Sequence, residues 1–289
     1  MASITITSSL AAAFAHMGIN GEDVTFSNVN ELLEPKLGRT ILLNSASTGK
    51  VEEVEALLSI GACPNIVDTE GITSLMMAHD HLAMVQVLLD AGANAVIDAV
   101  DNLGISALMM AAAGSTKDSL FTDHVAVTRL LVDAGASTTL KVTNSQQTAL
   151  MEAAEKGHFA IVKILVEKTE CINLQNRGGA TALILAIKHF DVVECLVNAG
   201  ADINLADKNG GTALMEAAGL AQPKVLGLLV QHGVEMNAME ASGLTALKIG
   251  IMMMVQEPKN LDYKECVKIL CNGGALLDGK RISIDAFTG

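Results

Sequence analysis

Read for its apolar positions, the chain is a run of paired short blocks. In TALMEAAEKGHFAIVKILV, residues 148–166, Leu150 and Ala153 fall three apart in a first block, and Ile161, Ile164 and Leu165 mark a second beyond the polar EKGH. Spacings of three and four put such residues on one helix face, so each block predicts a short helix and the polar stretch between them a turn. The seven residues TALMEAA return unchanged at 212–218. Aligned on a leading Thr or Ser, copies begin at Thr40, Thr73, Ser106, Thr148, Thr181, Thr212 and Thr245, with spacings of 33, 33, 42, 33, 31 and 33. A fixed period with two helices per unit predicts stacked repeats in which each unit buries its apolar face on its neighbours.

The landmarks around each pair have physical jobs. The leading Thr or Ser is a helix N-cap whose hydroxyl accepts from a free N–H of the first turn. Gly61, Gly92, Gly135, Gly200, Gly233 and Gly274 close the second helices, because Gly enters the left-handed region at little cost. Repeat 4 has Thr169 at that position, which predicts a less regular helix end. From leading Thr or Ser to closing Gly, repeats 2 and 5 are short and lack the Gly-His turn, predicting a tighter connection; repeats 3 and 7 gain eight residues. The gains fall at residues 114–123 and 255–263, and predict two loops with Phe121 and Tyr263 as exposed aromatic anchors.

Composition fits this picture. Half of the 289 residues are apolar, with fourteen Met, no Trp, one Tyr and six Phe. Ala, Leu and Met lose little on entering a helix, so the palette suits helices packed on helices. The net charge of −13 opposes binding to the phosphate backbone of nucleic acid. No apolar run reaches the ~18 residues of a membrane span, and the opening segment lacks a basic stretch before its apolar one. We expect a cytoplasmic or nuclear monomer without a membrane segment. The five cysteines, Cys63, Cys171, Cys195, Cys266 and Cys271, form no CxxC pair and read as reduced thiols.

The period of 33, the T-x-L, the V-x-x-L-L, the G-A and the following Asn together resemble the ankyrin repeat, over roughly residues 38 to 277. The usual T-P-L-H is altered here: Pro becomes Ile41, Ser74 or Ala, and His becomes Met76, Met109, Met151 and Met215. Such T-A-L-M units resemble those of large protozoan ankyrin families. The resemblance implies an all-α solenoid of about seven helix-turn-helix repeats with short β-hairpin turns. Residues 1 to 37 would be an N-terminal cap or degenerate repeat, and 278 to 289 a C-terminal tail.

It also implies a protein-binding module, an adaptor or scaffold using its concave face, and no enzyme or cofactor. The alternatives are an inhibitor that blocks a kinase or other enzyme sterically, or a cytoskeletal component. Carried over by position, the contact residues are Arg39, Ser47 and Thr48, then Glu70, Ile72, Asp80 and His81, then Asn102 and Ile105. They continue with Gln147, Glu155 and Lys156, with Arg177, Lys188 and His189, and with Lys208 and Asn209; Phe121 joins them from the first loop. Acidic residues lead this series and basic ones end it, so a partner with a basic segment near repeat 2 and an acidic segment near repeats 4 to 6 is expected. The resemblance also marks Asn65 as a candidate hydroxylase substrate. His79, Asp80 and His81 lack a metal-ligand spacing. Gly178-Gly179 and Gly210-Gly211 lack the phosphate-loop pattern and sit where hairpin turns belong. Glu152 and Glu216 recur with the scaffold and read as solvated helix residues.

Overall fold

The computed structural model describes residue 11 and residues 29–34, 38–114, 121–169 and 171–282. Met1–Thr143 and Asn144–Gly289 form two compact units, each taken by itself. In the first unit the helix pairs are Ile41–Ala46 with Val51–Ser59, Ser74–Met77 with Leu82–Asp90, and Ala107–Ala113 with Phe121–Asp133. In the second they are Ala149–Lys156 with Phe159–Lys168, Ala182–Leu185 with Phe190–Asn198, Ala213–Gly219 with Pro223–Gln231, and Ala246–Gln256 with Leu261–Asn272. Within each unit first helices pack on first helices and second on second, which builds a solenoid layer by layer.

The capping chemistry repeats in every pair. The hydroxyls of Thr40, Thr73, Ser106, Thr148, Thr181, Thr212 and Thr245 accept the N–H three residues on, at 3.2 to 3.4 Å. Two positions later stands a buried leucine in all seven, Leu42, Leu75, Leu108, Leu150, Leu183, Leu214 and Leu247. Each such side chain contributes about 2 kcal/mol by leaving water. The four methionines in the landmark position are buried too, filling the stack where a polar tie would otherwise run. All six closing glycines have positive φ, whereas Thr169 is extended, so helix Phe159–Lys168 ends without a left-handed cap.

Three expectations are corrected. The shortfall in repeats 2 and 5 is taken from the first helices, which shrink to four residues each. The gain in repeat 7 lengthens its helices to eleven and twelve residues, leaving only 257–260 between them. Tyr263 is therefore no exposed anchor: it lies in the first turn of the second helix, 5% exposed, and its hydroxyl donates to the Gly219 carbonyl at 3.0 Å. A phenol carries enough apolar surface to be buried once its O–H finds an acceptor. In repeat 3, Phe121 begins the second helix, but its side chain and residues 115–120 lie outside the described residues.

At the ends, Leu32–Glu34 pairs antiparallel with Arg39–Thr40, and Asn30 already behaves as a repeat residue, its Oδ1 accepting the Cys63 N–H at 2.7 Å. Leu276–Leu277 pairs with Lys280–Arg281, a hairpin that crosses the 277/278 boundary expected from sequence, and Asp278 meets Lys248 at 3.0 Å.

Candidate functional site

The surface that the sequence nominates is made of the turns before each leading Thr, here called fingers, and the ends of the first helices. The fingers are held by a residue five positions before the cap. Asp68 accepts the N–H groups of Glu70 and Ile72 on one oxygen, both at 2.8 Å. Asp101, Asn176 and Asp207 do the same for their own fingers. Adjacent fingers are then tied by backbone bonds: Asn102 N–H to Glu70, Thr143 to Leu103, Arg177 to Ser145, Lys208 to Gly178, and Ala241 to Asn209. Close approach explains the tip glycines Gly71, Gly104, Gly179 and Gly210. At Gly71, φ +83°, a Cβ would come within 2.6 Å of the Val100 carbonyl. Repeat 4 carries Gln146 there at φ 57°, a left-handed residue with a Cβ.

A second ladder runs at the other edge. Asn30, Asp98, Asn173, Asn204 and Asn237 each accept one backbone N–H of the following repeat, from Cys63, Ser137, Asp202, Glu235 and Leu276, at 2.7 to 2.9 Å. Asn65 occupies the same register, but among the described residues its buried Oδ1 has no partner; the next repeat enters a 3-10 turn, Ala93–Val96, at that level. Sequence reading registered this Asn as a landmark without its role, and missed the finger Asp/Asn entirely. The signal was present, since the acceptor recurs at a constant offset from the cap.

The nominated residues divide by what holds them. In the first unit Arg39 is engaged, its Nε 3.2 Å from buried Asp68, with Glu70 at 4.0 Å. Ser47 and Thr48 donate back to their own helix end. The His81 ring packs over Gly49 and lies 3.5 Å from Asp80. Glu70, Ile72, Asp101, Asn102 and Leu103 line a shallow hollow of about 250 Å³ between two fingers, beside half-buried Ile105. In the second unit Gln147 donates to Glu155 at 2.9 Å, and His189 packs over Gly157 with Nε2 3.1 Å from the Glu155 carbonyl. Lys156, Arg177, Lys188, Lys208 and Asn209 are exposed.

A larger hollow, about 380 Å³, opens in this second unit on the first-helix side of repeats 4 to 6. Its apolar wall is Ile184, Leu185, Ile187 and Leu220, and its charged wall is Glu155, Asp207, Glu216 and Lys188. Counting lysines and arginines alone made this region look basic; the fold brings three carboxylates in among them. Glu216 is exposed, as expected of a solvated helix residue, but its surroundings still perturb it. Loss of hydration, then Asp207 and Glu240, raise its pKa above the ordinary 4.5, with Lys188 acting the other way. Glu152 is raised likewise by desolvation, opposed by Lys156 and supported by Glu155.

Comparison with known proteins agrees with this architecture. A family model of ankyrin repeats, three copies long, matches residues 12–101, 108–207, 170–240 and 188–281. The ankyrin repeat protein YahD of Escherichia coli K12 is 30% identical over 236 residues, covering 81% of this chain and 95% of that one. The solved ankyrin repeat domain of human ASB11 superposes with a TM-score of 0.62 at 25% identity, over 73% of this chain and 91% of that domain. The chain belongs to the ankyrin-repeat family. Ankyrin repeats are protein–protein interaction modules, and the family is non-enzymatic. Among the described residues no helix is long and apolar enough to cross a membrane.

Proposed function

We propose that this chain is an adaptor or scaffold that binds a protein partner across its fingers and the concave face of its first helices. The observation that carries this reading is the finger ladder. Backbone and Asp/Asn bonds fix the tips rigidly, while their outward side chains, Glu70, Asn102, Arg177, Lys208 and Asn209, are exposed. Surface held in place before binding loses little entropy on association. The remaining sequence landmarks are consumed by capping and stacking, so the tips are where variation is free to serve recognition. Residues 1–37, of which all but 11 and 29–34 lie outside the described residues, are read as an N-terminal cap or degenerate repeat in keeping with the Asn30–Cys63 tie, and the protein as a cytoplasmic or nuclear monomer.

The test is affinity capture from a lysate of the source cell with wild-type chain and with an Arg177→Glu, Lys208→Glu double variant of unchanged helical content. A partner held by wild type and lost by the variant is expected. Partners captured equally by both would place recognition away from fingers 5 and 6.

A further inference from the structure

We propose that the hollow between repeats 4 and 6 receives one basic side chain, lysine or arginine, from the bound protein segment. This rests on the protein-binding reading above and adds the chemistry of one contact. At about 380 Å³ the hollow is near the lower end of ligand-sized pockets, matched to one long side chain and not to a whole peptide. Its wall of Ile184, Leu185 and Leu220 suits an aliphatic stem, and its carboxylates suit a cationic head, the two parts that lysine and arginine combine.

Charge settles the sign of the guest. Glu155 is already engaged by Gln147, and one oxygen of Asp207 holds two finger N–H groups. The Glu216 carboxylate makes no hydrogen bond to a described residue and lies among carboxylates that a single nearby lysine, Lys188, does not offset. An anionic guest would add a charge of the same sign to that group, whereas a cationic guest relieves it. Loss of hydration first, and then its acidic neighbours, raise the Glu216 pKa, in keeping with that geometry.

The experiment is selection of a displayed random 12-residue peptide library on the full chain. Wild type should enrich peptides that share one fixed lysine or arginine. Replacing that residue by norleucine or by citrulline should weaken binding about tenfold, the effect of one charge-assisted hydrogen bond. Glu216→Lys should weaken it at least as much, and the same variant should regain binding to the peptide whose basic residue is changed to glutamate. Glu216 is on the surface, so unchanged melting of both Glu216→Lys and Glu216→Gln is the folding control.

Peptides with a fixed acidic residue that depend on Lys188, or basic peptides indifferent to Glu216→Lys, would overturn the pocket. If such peptides were still lost with the Arg177→Glu, Lys208→Glu variant, the protein-binding reading would stand without it. No enrichment over background would overturn both.

Discussion

At Ser45 a hydroxyl is buried without a partner among the described residues, in a position five after the cap where five other repeats carry Ala and the seventh Gly. A buried unsatisfied hydroxyl costs about 1 to 3 kcal/mol, and Ala fits the same space. Ser45→Ala should therefore raise stability by about 1 kcal/mol, read as a higher denaturant midpoint at constant slope. Glu216 gives a pH-dependent counterpart. Its folded pKa is raised, so the native state gains relative to the unfolded one as pH falls, and the penalty is complete only above the folded pKa. Glu216→Gln should melt above wild type at neutral pH, with the gap closing as pH falls through the raised folded pKa and gone below about 4.5. Cys266, fully buried and pushed up to about 12 by burial and by Asp262 and Glu265, should resist maleimide in the native state while exposed Cys171 reacts. Peptide mapping after timed labelling checks the order. Caps, closing glycines and buried leucines were legible here because each follows from local backbone chemistry. Ser45 was not, since nothing in one sequence says that a small polar residue lacks a partner.

Between elements, side-chain-to-backbone rungs join one repeat to the next. Asn204 accepts the Glu235 N–H at 2.9 Å. Asn204→Ala should cost about 1 kcal/mol and speed hydrogen exchange at Glu235, with the amides of repeat 4 unaffected. Exchange unchanged at Glu235 would mean that the rung is idle in solution. The period placed every helix pair, yet it misjudged where length differences go. Extra residues in repeat 7 became helix, because MMMVQ and LDYKE continue helical propensity and Tyr263 found a carbonyl on the preceding repeat. A loop inferred from spacing alone cannot anticipate that contact.

Across the whole chain, charge is unevenly divided. Residues 1–143 hold 16 acidic and 6 basic residues, whereas 144–289 hold 16 and 13. Like-charge repulsion destabilises the first unit more, and salt screens it over a Debye length of about 8 Å at physiological strength. Raising ionic strength should slow amide exchange in repeats 1 to 3 more than in repeats 4 to 7, measured repeat by repeat. An equal response would show the excess charge to be harmless to folding.

The sequence by itself determined the repeat, its two helices, their caps and the residues buried between layers. Those depend on contacts that recur at fixed short separations, and a period in the chain records them directly. Only the tertiary structure decided which carried-over residues remain open to a partner. Arg39 closes on Asp68 and His189 covers Gly157, while Glu155, Asp207 and Glu216 meet around one hollow. Apart from Asp207 and Glu216, which share a repeat, the members of each group come from different repeats, tens of residues apart, and their distances are set by how the layers stack. The stacking therefore gives a region nominated as basic an acidic hollow.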